Sequence, residues 1–393
     1  MKKIGKEVLF LKTGEGNPRN GEGTFIRLRD GRLMHLYTEY CGDAWVDHAV
    51  ARLSACYSSD EGESWSVPTV CMEKDEKAEN IMSPSLFRMK NGELGMVYLR
   101  KERKHGDANE TSENGIVCMP MFVFSADEGM TWSEPTVCGV EEGYYCAIND
   151  GVALQKDGRI LLPMSHHGAF FNIAGKNENS RELNKMREGG SVVIAYSDDC
   201  GRTWSTLAHC FYSPFADSVG LGEPGIYVHE NGDLWMYCRT AYGHQYQSYS
   251  RDGGITWTPI APNFCFTSPD APMRVKKVGK YTVAVFNPLA YNCLRTDFSK
   301  RGNTKRTPFV CAVSTDDGHS FDTTGKPPVG GSLAYFAESA YLLEDDYRDS
   351  YCYPAIIETR DGFLVSYYHS NGGTYTLCST KITKVRFEEI EES

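Results

Sequence analysis

A short motif recurs five times along this chain and restricts what the chain can fold into. One copy runs from Ser250 to Trp257 and reads Ser-x-Asp-x-Gly-x-Thr-Trp. The central Asp and Gly favour a tight turn, because glycine adopts positive φ and the Asp carboxylate accepts hydrogen bonds from nearby backbone N–H groups. The closing aromatic residue is suited to pack on a neighbouring strand. The other copies begin at Ser58, Ser125, Ser197 and Ser314, the last closing with Phe321 instead of tryptophan.

A second repeat runs ahead of the first and consists of a strand, an Asp-Gly or Asn-Gly turn, and another strand. Such turns between apolar, β-branched stretches are the strongest short-range indication of a β-hairpin. In the first five units a third strand, the Ser-x-Asp turn and a short fourth strand follow. Four antiparallel strands per unit, repeated every few tens of residues, predict propeller blades. The turn glycines are Gly31, Gly92, Gly158, Gly232 and Gly362, with a degenerate copy near Gly279.

The sixth unit, from Tyr351, has no Ser-x-Asp turn and lacks its outermost strand. The N-terminal segment EVLFLK can supply that strand, which joins the two ends of the chain and leaves no open sheet edge. We therefore predict an all-β fold, a six-bladed β-propeller with four-stranded antiparallel blades, closed by the N-terminal strand. Residues 1–393 are predicted to form a single domain. The insert ENSRELNKMRE in the third unit is predicted to carry a short helix.

Composition and charge narrow the classes of partner. A net charge of −11 without a Lys/Arg cluster argues against nucleic acid, and no apolar run approaches membrane-spanning length. The 14 cysteines occur singly, without a C-x-x-C pair, so neither a zinc site nor a redox pair is predicted. A glycine-rich phosphate loop is also missing, and we expect neither a metal nor a cofactor.

The N-terminal segment bears on localisation. Its apolar run, Val8 to Leu11, is too short for the core of a signal peptide. Together with cysteines interpreted as reduced thiols, this indicates a cytoplasmic protein, although a secreted chain trimmed of its leader has the same appearance.

The Ser-x-Asp turns resemble the Asp boxes, or BNR repeats, of sialidases (neuraminidases), and the order of boxes and hairpins resembles a sialidase propeller over nearly the whole chain. The turns themselves are equivalent peripheral copies, so we assign them to stability. The resemblance implies a glycosidase with a tyrosine nucleophile. GLGEPGIYVHENGDLWMYCRT places Glu223 where the family has the base partner of that tyrosine, and YCYPAI places Tyr353 at the nucleophile position.

The resemblance also implies three arginines that bind a substrate carboxylate. Arg239 matches the second, and Arg306 in TKRTPFVCAVS matches the third, with Arg274 as a competitor. The first unit departs from the family, because the aligned stretch GEGTFI places Glu22 where the first arginine is expected. An acid does not hold a carboxylate, and a missing bidentate cation weakens the binding of a sugar acid. The sequence therefore argues against ordinary sialic acid as the substrate.

The family's acid/base aspartate lies on the loop after the first hairpin, where CGDAWVDHAV supplies Asp43 and Asp47. We prefer Asp47, beside His48. The role requires a carboxyl desolvated enough for its pKa to rise. If the substrate differs from that of the family, Glu22 or Glu223 can act directly as base.

Further candidates are polar residues where inner strands begin or second strands end, positions that line the central cleft of a propeller. For any single one of them, capping a strand or bonding a neighbouring blade is the simpler role. These candidates are Asn80, Ser83, Asn149, Asp150, His166, His167, Ser268 and Asp270, of which Asp150, His166 and Asp270 are predicted, with His48 and Glu22, to contact substrate.

The sequence thus predicts an exo-acting glycoside hydrolase of the sialidase superfamily that removes a terminal sugar, acidic or neutral, from a glycan. Asp47 is the predicted acid/base, Tyr353 the nucleophile and Glu223 its base partner, while Arg239 and Arg306 clamp the substrate. Two alternatives stay open: a polysaccharide lyase acting on uronate-containing glycans, and a carbohydrate-binding propeller without catalysis. The expected partner is a glycan or oligosaccharide, and the oligomeric state is left open.

Overall fold

The computed structural model describes residues 1–104, 115–168, 171–172, 189–214, 219–289, 306–321, 340–346, 348–371 and 378–391. Within these ranges the chain forms 26 β-strands and one short helix, α1 (Phe387–Glu391). No helix in the same ranges is long and apolar enough to cross a membrane. The helix predicted in ENSRELNKMRE, residues 178–188, lies outside the described residues.

The first two units share one hydrogen-bonded sheet of nine strands, eight of their own and one from the third unit. The first unit contains β2 (Asn20–Arg27), β3 (Leu33–Tyr40), β4 (Ala51–Ser58) and β5 (Thr69–Met72). The second contains β6 (Ala78–Arg88), β7 (Leu94–Lys104), β8 (Gly115–Ser125) and β9 (Thr136–Val137). A parallel bridge between Ala51 and Asn80 joins the two units.

The third unit forms a five-stranded sheet. Its strands are β10 (Tyr145–Cys146), β11 (Ala153–Leu154), β12 (Ile160–His166), β14 (Ser191–Ser197) and β15 (Ser205–Thr206). The intervening strand β13 (Phe171–Asn172) pairs instead with β8 of the second unit.

The last three units form a four-stranded sheet each. The fourth contains β16 (Gly222–Val228), β17 (Leu234–Arg239), β18 (His244–Ser250) and β19 (Ala261–Thr267). The fifth contains β20 (Arg274–Val278), β21 (Tyr281–Phe286), β22 (Phe309–Ser314) and β23 (Ala340–Glu344). The last contains β24 (Tyr351–Thr359), β25 (Gly362–His369) and β26 (Ser379–Arg386), and the N-terminal strand β1 (Lys6–Leu11) pairs with β26 as predicted.

This architecture is an all-β propeller of antiparallel sheets. The predicted count of six separate blades is not confirmed, because hydrogen bonds group the strands of the described residues into five sheets. The Asp-Gly and Asn-Gly turns behave as predicted in the first four units, where Gly31, Gly92, Gly158 and Gly232 have φ values of 90°, 85°, 97° and 92°. Gly362 differs: it begins β25, where an added Cβ would lie 1.9 Å from the carbonyl oxygen of Val385, so close packing requires glycine there.

The Ser-x-Asp turns are held by the same hydrogen bonds in all five copies. In the first copy the amide of Gly62 donates to Ser58 Oγ at 2.8 Å, and the amide of Ser64 donates to Asp60 Oδ1 at 2.9 Å. The other four copies repeat both bonds. In the third unit the closing Trp204 reaches the second unit, where it packs on Phe122 with ring centroids 5.5 Å apart. These turns therefore have the local, stabilising hydrogen bonds that were predicted for them.

Replacing Asp252 with asparagine is expected to lower the Tm in a pH-dependent way. Hydrogen bonds from the side chain and backbone of Thr256 lower the pKa of Asp252 from 3.8 to about 2. A depressed pKa stabilises the folded state above the unfolded pKa of about 3.9, and the effect is lost as pH falls through the folded value. Calorimetry should therefore show the largest Tm gap between the two proteins above pH 5 and closure of the gap near pH 2. A gap that does not change with pH would contradict the electrostatic explanation.

Candidate active site

Five residues where inner strands begin share an uncommon, left-handed backbone. For residues other than glycine this conformation costs about 1–2 kcal/mol, and such strain clusters at functional sites. Four of the five lie at irregularities in the strand register. Each is followed by Gly or Pro, a sequence signal that points to these positions. They are Glu22 (φ 43°), Ser83 (φ 53°), Asp150 (φ 54°), Glu223 (φ 38°) and Tyr353 (φ 57°).

Tyr353 and Glu223 are in direct contact. The Tyr353 hydroxyl donates to Glu223 Oε1 at 2.6 Å, although the two residues are 130 positions apart. Arg239, at the end of β17, donates through Nη1 to Glu223 Oε2 at 2.5 Å and to the Tyr353 hydroxyl oxygen at 3.2 Å. Three predicted residues from two units, the fourth and the last, therefore form one hydrogen-bonded group.

Two more predicted residues complete this group. Arg239 Nε donates to Asp270 Oδ1 at 2.5 Å, and Arg306 donates through Nε and Nη2 to the backbone carbonyl of Asp270 at 3.1 and 2.8 Å. The Arg306 guanidinium also lies 5.7 Å from the centre of the Tyr353 ring. We call Glu223, Arg239, Asp270, Arg306 and Tyr353 the Tyr353 cluster.

The environment of Tyr353 opposes its ionisation. Burial raises the pKa of its hydroxyl well above the usual value and the charge of Glu223 adds to the rise, while Arg239 and Arg306 offset only part of it. The hydroxyl thus keeps its proton in the free protein. A carboxylate at 2.6 Å is the acceptor that its deprotonation requires.

A second group contains an arginine that the sequence reasoning missed. Arg19, just before β2, donates to Glu22 Oε1 through Nη2 and to Asp47 Oδ1 through Nη1, both at 2.6 Å. Its Nε donates to the Tyr368 hydroxyl, which donates in turn to Glu22 Oε2, again at 2.6 Å each. We call Arg19, Glu22, Asp47 and Tyr368 the Arg19 cluster. The expectation that the first unit supplies no cation at the site is therefore wrong: Arg19 lies beside Glu22.

The two carboxyl groups of the Arg19 cluster have opposite pKa shifts. Burial raises the pKa of Glu22, and Arg19 and Tyr368 only partly offset the rise. Desolvation also opposes ionisation of Asp47, but Arg19 and Lys101 outweigh it and hold its pKa well below the usual range. The Asp47 side chain is 63% exposed. The attraction of Arg19 and Lys101 sets the direction of its pKa shift, which is downward. In the free protein the raised pKa that an acid catalyst needs therefore belongs to Glu22 rather than to Asp47.

The two clusters are adjacent. The rings of Tyr353 and Tyr368, one from each cluster, meet edge to face with centroids 5.9 Å apart. Because Glu22 is 3% exposed and Asp47 is largely exposed, the Arg19 cluster presents one accessible carboxylate and one buried carboxylate.

The loop that carries Asp47 is held from the second unit. Asn80 Nδ2 and Lys101 Nζ both donate to the backbone carbonyl of Asp47, at 2.9 and 2.8 Å. The neighbouring His48 has its pKa lowered to about 3 by burial and by Lys101, so its ring is neutral at physiological pH. Asp43, the alternative to Asp47, lies exposed on the same loop.

Asp150 and Arg274 lie in a separate buried group. Both carboxylate oxygens of Asp150 accept from Lys276 Nζ at 2.8 Å, and Thr24 Oγ1 donates to Oδ1 at 3.2 Å. Arg274 Nε lies 3.6 Å from Asp150 Oδ2. Arg306, rather than its competitor Arg274, therefore belongs to the Tyr353 cluster, and Asp150 is committed to cations from the fifth unit.

The remaining candidates make structural contacts with their neighbours. Among them, the amide nitrogen of Ser83 donates to Thr38 Oγ1, Asn149 donates to the carbonyl of Gly23, Ser268 accepts from Gln245, His166 stacks on Tyr145 and His167 contacts Ser165.

One group of described residues, His229, Asp317 and His319, offers three atoms of the kind that bind metals. The imidazole rings of His229 and His319 stack at 4.4 Å with an interplanar angle of 3°. An imidazole binds a metal through a lone pair in the plane of its ring, so two parallel stacked rings do not direct their lone pairs at one ion. We assign this group no metal.

Comparisons with known proteins agree with this architecture. Residues 52–366 match the BNR repeat-like domain. A sialidase of Paraclostridium sordellii is 24% identical over 250 residues, and the match spans 60% of this chain but little more than half, 56%, of that protein. A protein of unknown function from Dyadobacter fermentans superposes with a TM-score of 0.69 at 18% identity, covering 97% of this chain and 99% of the other. The intramolecular trans-sialidase of Ruminococcus gnavus superposes with a TM-score of 0.65 at 13% identity, covering 97% of each chain. The chain therefore belongs to the BNR repeat-like domain family, within the sialidase superfamily of β-propellers.

Proposed function

We propose that this protein is an exo-acting glycoside hydrolase that removes a terminal sugar from a glycan at the Tyr353 and Arg19 clusters. The observation that carries the proposal is the 2.6 Å hydrogen bond from the Tyr353 hydroxyl to Glu223. A nucleophile in hydrogen-bond contact with a base, which a third group orients, is the usual arrangement for covalent catalysis. Arg239 is that third group here. The similarity to proteins named sialidases supports a glycan substrate.

The proposed reaction has two steps. In the first, Tyr353 Oη bonds to the anomeric carbon while its proton passes to Glu223, the glycosidic bond breaks, and the leaving oxygen takes a proton from Asp47. In the second, water attacks the same carbon and gives a proton to Asp47. The bond to Tyr353 breaks as the bond to water forms, and Tyr353 recovers its proton from Glu223. Two displacements at one carbon retain the anomeric configuration.

Asp47 is proposed as the proton donor because its carboxyl is the accessible one of the Arg19 cluster. Its low pKa in the free protein requires that substrate binding raise it. A sugar that covers Asp47 removes water from the carboxylate, and loss of the Arg19 hydrogen bond removes the largest attraction that favours the ionised form.

In this proposal the residues lie on a ring of six units around a central cleft, each with four strands except the five-stranded third unit. The recurrence of a left-handed residue at the start of the inner strand in five units supports that arrangement.

The proposal is tested by a panel of aryl glycosides and natural oligosaccharides, sialosides included, assayed for released sugar. We expect release of a single terminal sugar, and nuclear magnetic resonance of the first product should show the retained anomer. An unsaturated sugar that absorbs in the ultraviolet would identify a lyase instead. Binding of the same glycans without any released sugar would identify a carbohydrate-binding propeller.

A further inference from the structure

The guanidinium of Arg19 is already occupied by partners from its own chain. Its side chain is 4% exposed. Nη2 donates to Glu22 and Nη1 to Asp47, Nη1 also contacts the carbonyl of Trp45 at 3.2 Å, and Nε donates to Tyr368. A guanidinium has five N–H donors. Four contacts leave Arg19 without the pair of free parallel N–H groups that a ligand carboxylate needs for a bidentate contact.

Glu22 is built into this arrangement. Its Oε1 accepts from Arg19 and its Oε2 accepts from the Tyr368 hydroxyl. The side chain is 3% exposed and is carried by a left-handed residue with φ 43°. Glu22 is thus a carboxylate held against an arginine beside the proposed sugar cleft, which is the place a carboxylate on a sugar would take.

The net charge of the two clusters bears on whether the bound sugar is charged. Their cations are Arg19, Arg239 and Arg306, and their anions are Glu22, Asp47, Glu223 and Asp270. The Arg306 guanidinium donates to uncharged groups, the Asp270 carbonyl and the Cys352 thiol. Lys101, on the Asp47 carbonyl, brings the sum to zero. The charged groups around the two clusters therefore balance, and the site as a whole carries no excess of positive charge for an anionic sugar.

We propose that the terminal sugar is uncharged where it faces Arg19, because Glu22 supplies the carboxylate from the protein itself. This inference rests on the proposed function in taking the two clusters as the sugar site. It names the substrate class as sugars without a carboxylate at that position, and it assigns Glu22 as the residue that sets this specificity.

Binding of N-acetylneuraminic acid and of its uncharged methyl ester, measured by calorimetry, tests the proposal. The wild type should bind the acid no better than the ester, within about threefold. Glu22→Ser removes the resident carboxylate and opens space beside Arg19, so it should bind the acid about tenfold more tightly or better, with the ester unchanged. Glu22→Gln removes the charge but keeps the shape, and it should show a smaller gain.

Glu344→Ser is the matched control. Glu344 also lies between a tyrosine hydroxyl, that of Tyr367 at 2.8 Å, and a cation, Lys381, but outside the two clusters. It should change the affinity for neither ligand. A wild type that prefers the acid to the ester by about tenfold overturns the proposal, and so does a folded Glu22→Ser protein without a gain for the acid. The comparison of acid and ester on the wild type needs no variant. The proposal can therefore still be contradicted if the Glu22→Ser protein misfolds.

The calorimetry requires no turnover, which separates this inference from the proposed function. If the protein distinguishes the ligands as expected but hydrolyses no glycan, the proposed hydrolase activity is rejected and the role of Glu22 stands. If the protein releases sialic acid efficiently, the hydrolase activity stands and the role of Glu22 is rejected.

Discussion

Replacing Tyr353 with phenylalanine is expected to abolish hydrolysis and to leave glycan binding in place. The substitution removes the hydroxyl that donates to Glu223 at 2.6 Å. It keeps the ring that meets Tyr368 at 5.9 Å and the Arg306 guanidinium at 5.7 Å. Loss of a covalent nucleophile should lower kcat by about 10³-fold or more. Steady-state kinetics on the glycoside found in the panel, with calorimetry for affinity, measures both quantities.

Tyr227→Phe is the control for this prediction. The Tyr227 hydroxyl also donates to a carboxylate, Asp317 Oδ1, at 2.6 Å, and burial raises its pKa, but it lies outside the two clusters. It should keep the wild-type kcat. If Tyr353→Phe keeps more than about a tenth of the wild-type kcat, Tyr353 is not the nucleophile, and Glu223 becomes the group to test for direct attack or general-base catalysis.

The fold was predictable where its determinants are local. The Ser-x-Asp turn closes its bonds within four residues, as from Ser58 to Gly62, so five copies in the sequence suffice to identify five turns. The Asp-Gly and Asn-Gly hairpins are equally local. The pairing of β1 with β26 follows from a missing strand at one end and a spare strand at the other. The shared sheet of the first two units depends on a single bridge between Ala51 and Asn80, which no sequence pattern marks.

The candidate site was predictable only in part. Glu223, Arg239 and Tyr353 lie at positions that the repeats define, and they meet in the structure. Arg19 lies outside the repeats, before the first inner strand. Its importance depends on Tyr368, 349 residues away, which tertiary structure alone brings into contact.

The pKa shifts of the carboxyl groups were even harder to predict from the sequence than the residues of the site. Asp47 and Glu22 share Arg19, yet nearby cations outweigh desolvation only at Asp47, so the two pKa values shift in opposite directions. Spacing along the chain carries no information on that balance.

Replacing Asp47 with asparagine is expected to slow hydrolysis in proportion to how much the leaving group needs a proton. In the wild type Arg19 donates to the Asp47 carboxylate at 2.6 Å. Asparagine keeps an oxygen that can accept this hydrogen bond, but it has no acidic proton to donate. Hydrolysis of a natural oligosaccharide, whose alkoxide leaves poorly, should slow by about 10²–10⁴-fold. A dinitrophenyl glycoside of the same sugar leaves without protonation, so its glycosidic cleavage should slow by less than about tenfold. The ratio of kcat/KM for the two substrates is the measurement.

Asp43→Asn tests whether the effect is specific, because Asp43 is exposed on the same loop. It should leave that ratio unchanged. An equal loss on both substrates in Asp47→Asn would mean that Asp47 positions Arg19 rather than donating a proton. If instead Glu22→Gln shows the leaving-group dependence and Asp47→Asn does not, the proton comes from the buried carboxyl whose pKa is raised. Glu22 would then serve as the acid, and its assignment as a fixed carboxylate partner of Arg19 would fail with the same result.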